Sequence, residues 1–130
     1  ADFRVADPAE QKMKKSGRSE LLVRLVPNPD ILAELGSRKK GQVLVGFAAE
    51  TEDLLANARE KMERKNCDLM VANDVTAPDA GFGTDTNRVK LLSADGRVEE
   101  LPVMEKTLLA HRLLDKVLLL VQERRSLGRA

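Results

Sequence analysis

A chain of 130 residues is long enough for one domain with a real core and short for two, so a single globular unit over residues 1–130 is the expectation. With 42% hydrophobic and 33% charged residues the composition excludes extended disorder, and the longest apolar runs, such as 117–121, are far too short to cross a bilayer. A net charge of +1, no Trp, no Tyr and three Phe leave neither the basic excess nor the stacking platforms of a general nucleic-acid binder.

The chain opens on Ala1-Asp2-Phe3-Arg4 without a methionine and runs into Pro8 and the polar, lysine-rich stretch 10–19, which reads as an interior segment of something longer. Residues 21–26 have the apolar, β-branched character of a short strand, punctuated by Pro27-Asn28-Pro29. Asn28 as N-cap, Pro29 at the first helical position and Asp30 in the first turn start a helix over about 29–37, with Gly36 and Gly41 bounding its end. Residues 43–49 are continuously apolar and read as a buried strand. Thr51 opens the next element, a helix over about 52–65 ending at Asn66, and 69–72 is another buried strand. Three strands separated by two helices make a βαβαβ pattern, and the expectation is an α/β, Rossmann-like, mainly parallel sheet with flanking helices.

Residues 77–86 are rich in Gly, Pro, Asp and Thr and read as a long loop. Segments 87–92 and 97–103 flank Ala94-Asp95-Gly96, a strong hairpin signal. A long helix over about 106–125 closes the chain, with Leu109, Leu113, Val117 and Leu120 as its apolar stripe. Cys67, the single cysteine, leaves no disulfide within the chain and suggests a buried thiol in a reducing, cytoplasmic setting.

In an open parallel sheet, ligands bind at the carboxyl ends of the strands, where 26–30, 47–50 and 73–75 converge. The helix start behind Asn28-Pro29 suits an anion such as phosphate, and equally suits an ordinary cap. Lys61 and Lys65, four apart, share a helix face and can meet one polyanion or simply face solvent. Residues 12–15, a lysine-rich run near Gly17, fit either a phosphate-binding loop or a solvated segment. His111 has no Cys or His partner at metal-ligand spacing, and Asp74, Asp79 and Asp85 lack the calcium-loop pattern. No P-loop, GxGxxG fingerprint or nucleophile elbow occurs.

Taken in order, Ala1-Asp2-Phe3-Arg4, Lys12-Met13-Lys14-Lys15, Asn28-Pro29-Asp30-Ile31-Leu32, Val45-Gly46-Phe47-Ala48-Ala49-Glu50-Thr51, residues 58–66, Ala72-Asn73-Asp74-Val75 and Gly81-Phe82 with Asp85 and Asn87 resemble the synthetase portion of bacterial phosphopantothenoylcysteine decarboxylase/synthetase proteins. The resemblance covers nearly the whole chain. It implies a phosphopantothenate-cysteine ligase of coenzyme A synthesis: the carboxylate of 4'-phosphopantothenate attacks the α-phosphate of CTP, pyrophosphate leaves, and the cysteine amine then displaces CMP from the acyl-cytidylate. Magnesium would accompany CTP, with no metal ligands assignable. By the family pattern Lys12 is the catalytic residue, on a loop that closes over the site. Asp2, the backbone of Pro29, Asp30, Ile31 and Leu32, Phe47, Lys61 and Lys65 would bind the nucleotide, although Phe47 suits a core position equally well.

The family's glycine-rich N-terminal half and the flavin-dependent decarboxylase half are absent from this sequence, so the expectation is a fragment, inactive alone, with FMN confined to the decarboxylase half. A homodimer through the 87–103 hairpin, with no nucleic-acid or membrane partner, is also implied. The alternative is a non-enzymatic Rossmann-like module that binds a nucleotide or phosphate for regulation.

Overall fold

The computed structural model describes residues 2–15, 17, 19–50, 53–74 and 85–127. The chain forms two compact units, Ala1–Ile31 and Leu32–Ala130.

In the first unit, β1 (Phe3–Val5) pairs antiparallel with β2 (Leu25–Pro27), with Arg4 opposite Val26. Backbone bonds carry the ladder on at both ends, from Ala6 N–H to Arg24 O at 2.9 Å and from Asn28 N–H to Asp2 O at 2.8 Å. Arg4 ties the end further, donating from Nη1 to Pro27 O at 2.7 Å and to Asn28 Oδ1 at 3.3 Å. With Asn28 held at the strand end, α1 (Ile31–Arg38) starts two residues later than its Asn-Pro signal suggests. Pro27 ends β2, a place where a missing N–H is tolerated.

In the second unit, β3 (Val45–Glu50), α2 (Leu54–Arg64) and β4 (Leu69–Asp74) form a βαβ unit whose strands are parallel, Val45 opposite Leu69 and Ala49 opposite Asn73. After β5 (Thr86–Asn87), β6 (Val89–Ser93) returns antiparallel on β4, and β7 (Val98–Glu100) pairs antiparallel with β6. β8 (Met104–Glu105) pairs with β5 and leads into α3 (Lys106–Leu127). The four-stranded sheet has the order β3-β4-β6-β7. It is therefore mixed, with one parallel pair, and not mainly parallel: β2 is taken up by β1, and the hairpin fills the far side of β4.

The hairpin turn follows its residues. Gly96, at φ +87°, occupies the left-handed region that an L side chain resists, and its N–H closes on Ser93 O at 2.9 Å. Asp95 accepts from Arg97 N–H at 3.0 Å, a bond that holds its carboxyl below the usual carboxylate range.

Alternation along the central strand builds two cores. Met70 and Ala72 pack with Ala48, Ala58, Met62, Cys67 and Leu92, under α2 and with Leu32 of α1 alongside. Leu69 and Val71 pack on the other face with Val89, Leu91, Leu101 and, from α3, Leu109 and Leu113. Residues 69–72 are all buried, as a strand covered on both faces requires. Each fully buried Leu, Val or Met contributes about 1.5–3 kcal/mol. Cys67 is buried, as expected. The α2 start at Thr51 and most of the 77–86 loop lie outside the described residues; within them, the residue before α2 is Asp53, in a left-handed conformation without a side-chain cap.

Candidate functional site

The residues singled out by sequence fall into two groups, one in each unit. In the first, the bond between Asp2 O and Asn28 N–H sets Asp2 beside the segment that enters α1. Asp30 directly precedes that helix and Ile31 begins it, largely exposed. The first N–H groups of an α-helix lack intrahelical acceptors and sit at the positive end of its dipole, so this turn can receive an anion. Lys12, in the connection between β1 and β2, is exposed, and its ammonium has no hydrogen-bond or ion-pair partner among the described residues. On either side of it, Gln11 and Met13 line a cleft of about 660 Å³ with Val5, Pro8, Leu21 and Leu22. Arg24 Nη2, 2.8 Å from Asp7 Oδ2, fastens the base of this connection.

In the second group, Lys61 lies in the last turn of α2 and Lys65 at its C-cap, the N–H of Lys65 bonding Lys61 O at 3.0 Å. Both are half-buried, which sets them apart from the solvated outer pair Glu60 and Arg64, 3.8 Å apart. The end of α2 is pressed against α1: a Cβ at Gly36 would stand 1.9 Å from Lys65 O, and Asn66 Nδ2 donates to Gly36 O at 3.0 Å. The lysine pair thus borders α1, on the same sheet face as Leu32. The Leu32 side chain packs on the core and leaves only its backbone for a ligand.

Phe47 is 68% exposed, so the core reading is set aside. It projects from the opposite face of β3 to Gly46 and Ala48, which face the α1/α2 core. The structure therefore does not bring Phe47 and the lysine pair onto one face, although β3 lies at an edge of the sheet. The lysines also stand toward the amino ends of the strands, because α2 runs from the carboxyl end of β3 back to the start of β4.

Sequence reading passed over two atoms at the carboxyl edge. Asn73 Oδ1, at the end of β4, and Asn87 Oδ1, in β5, are buried and have no hydrogen-bond partner among the described residues. Asn73 pairs in register with Val89, two residues beyond Asn87, so both belong to the same corner of the fold. Nothing in their spacing announces this; Asn73 was signalled by the place of 73–75 at the carboxyl edge and by the motif quoted for the family resemblance, and Asn87 by such a motif alone. His111 is exposed on α3, and no group of His, Cys, Asp and Glu that would hold a metal occurs among the described residues.

Residues 1–120 match the DNA/pantothenate metabolism flavoprotein C-terminal domain family. The chain is 47% identical over 117 residues to the coenzyme A biosynthesis bifunctional protein CoaBC of Bacillus subtilis strain 168, covering 90% of this chain and 29% of that protein. It is 40% identical over 122 residues to a cysteine/cysteine sulfinic acid decarboxylase of an unknown prokaryotic organism, covering 93% of this chain and 34% of that protein. The crystal structure of the C-terminal domain of a CoaBC protein superposes with a TM-score of 0.66 at 40% identity, over 76% of this chain and 48% of that one. The chain thus spans about a third of the length of these curated relatives. On the match over 120 of its 130 residues, the chain belongs to the DNA/pantothenate metabolism flavoprotein C-terminal domain family.

Proposed function

We propose that this chain carries nucleotide-handling residues of a phosphopantothenate-cysteine ligase in coenzyme A synthesis, using CTP to activate 4'-phosphopantothenate for attack by cysteine. The observation that carries the reading is the 40% identity to the C-terminal domain of a CoaBC protein, together with lysines at 12, 61 and 65 in this sequence. A carboxylate approaching a triphosphate is opposed by charge, and pre-positioned cations offset that repulsion as the transition state forms. Lys12, exposed and unpartnered among the described residues, is suited to meet the reacting phosphate, and the half-buried pair Lys61 and Lys65 to hold the nucleotide beside α1. Asp2 and the backbone of Pro29, Asp30, Ile31 and Leu32 complete the nucleotide contacts in this reading, and Phe47 offers an exposed ring at the β3 edge.

Magnesium enters as the companion of the substrate triphosphate. The reading assigns no flavin to these residues and places FMN with the decarboxylase half of a parent protein. A homodimer is proposed through the 87–103 hairpin, whose strand β7 is exposed along Val98–Glu100 and borders the sheet. The proposed setting is the cytoplasm, and among the described residues no helix is long and apolar enough to cross a membrane.

Phosphopantothenate-dependent release of pyrophosphate from CTP, measured with the chain in its complete protein, tests the ligase reading. Lys12→Gln should slow that release by about 100-fold or more while changing CTP affinity by less than about threefold. CTP binding without any such release would favour a non-enzymatic nucleotide-binding module.

A further inference from the structure

Below the sheet, at the amino ends of β3 and β4, lies a cleft of about 590 Å³ walled by Lys39, Lys40 and Gly41 after α1 and by Val121, Arg124 and Arg125 of α3. The three α3 residues stand at i, i+3 and i+4 and so share one helix face. Two of the four cations are fixed by Asp68: Lys39 Nζ lies 3.0 Å from Oδ1, and Arg124 Nη2 donates to the same oxygen. Lys39 also donates to Asn66 O at 2.6 Å, and Arg124 Nη1 to Gln42 O at 2.6 Å. The Lys39 and Asp68 side chains are 12% and 9% exposed, so one carboxylate faces two cations a few ångströms apart where water screens them poorly.

Lys40 and Arg125 line the same cleft, and their ammonium and guanidinium groups have no partner among the described residues. The carbonyl ends of α1 and α3 contribute about half a negative charge each. Against four full positive charges, Asp68 and those two helix ends leave roughly two charges in excess. Cations in the last turn of a single helix are ordinary; cations from two elements converging on one buried carboxylate, with two more beside them that are unpaired among the described residues, form a receptor for negative charge.

We propose that this cleft is a second anion site, separate from the candidate nucleotide residues, for a compact polyanion of the di- or triphosphate class. Arg125 and Lys40 supply the mobile charges, while Lys39 and Arg124 present a fixed floor. The proposal does not depend on the ligase reading. A bound polyphosphate bridges the segment after α1 to the end of α3 and stabilises the fold as it binds.

Calorimetric titration of the full chain with inorganic triphosphate, without magnesium and at low ionic strength, tests it against two double variants. Lys40→Ala with Arg125→Ala leaves the Asp68 bonds in place, and circular dichroism checks that the variant is folded. That variant should weaken triphosphate binding by about tenfold or more, whereas Lys61→Ala with Lys65→Ala should leave this component unchanged. Orthophosphate should bind about tenfold more weakly than triphosphate, and raised salt should weaken both. No binding to the parent chain, undiminished binding by the Lys40/Arg125 variant, or loss of all binding in the Lys61/Lys65 variant would each overturn it. So would preference for an acidic peptide over triphosphate.

Discussion

Asp68 divides its acceptor oxygens between two parts of the fold: Oδ2 takes Leu44 N–H at 2.7 Å at the entrance to β3, and Oδ1 takes Lys39 and Arg124. Asp68→Asn keeps an oxygen for Leu44 but presents an N–H group, or a neutral oxygen, to two partly buried cations. We expect a loss of about 3–5 kcal/mol, read as a lower urea midpoint at unchanged slope. An unchanged midpoint would mean that solvent alone satisfies Lys39 and Arg124. Asn73 is the opposite case, a buried carboxamide oxygen with no partner to lose among the described residues. Asn73→Leu, of similar shape, should alter stability by less than about 1 kcal/mol, so a larger loss in the same denaturation would reveal a donor bound there. Neither role was legible in the sequence, because the partners of Asp68 lie 24, 29 and 56 residues away and a missing partner leaves no pattern at all. Lys12 stands differently: composition left it open between a phosphate loop and a solvated run, and only the family resemblance distinguished it from Lys14 and Lys15.

Helix α1 was expected over about 29–37 with Gly36 and Gly41 bounding its end, and it ends between those glycines at Arg38, running through Gly36. The glycine is there for the neighbouring chain rather than for a cap: it is buried, and a methyl group would meet Lys65 O at 1.9 Å and Lys65 C at 2.8 Å. Backbone atoms cannot swing aside as a side-chain tip can, so Gly36→Ala must part α1 from the end of α2. The expected cost is about 1–3 kcal/mol in thermal or urea unfolding. Because Lys61 and Lys65 sit at that junction, the same substitution should also weaken CTP binding; full stability and full affinity together would show that the helices reseat without loss. Such close approaches are invisible to periodicity, which reads one element at a time. What periodicity did read was strands at 43–49 and 69–72, found as Val45–Glu50 and Leu69–Asp74, the α2 and α3 helices and the hairpin around Gly96; the expectation that 43–49 is buried fails at Phe47 and Ala49, which are exposed because β3 lies at the sheet's edge. It misjudged the partner of β2, since a three-residue apolar strand fits a parallel sheet and an antiparallel ladder equally well.

For the molecule as a whole, a net charge of +1 conceals a partition: acids and bases pair along exposed helix faces, while cations without a partner among the described residues collect at Lys12 and at the cleft holding Lys40 and Arg125. Which of these concentrations serves a nucleotide is a question about binding, and calorimetry of the chain with CTP and magnesium answers it. The half-buried Lys61/Lys65 pair is expected to hold the triphosphate, so the Lys61→Ala, Lys65→Ala variant should bind CTP about tenfold or more weakly than the parent, while Lys40→Ala with Arg125→Ala should leave the magnesium-dependent component intact. ATP serves as the control, since a weaker signal from it would place the preference in the base rather than in the phosphates. Equal affinity in parent and Lys61/Lys65 variant would return those lysines to a structural role at the α1–α2 junction. If the chain is silent toward CTP and the complete protein binds it, nucleotide affinity requires residues beyond this third of the relatives' length; if both are silent, the ligase reading fails and the cleft beneath the sheet must be judged by its own titration.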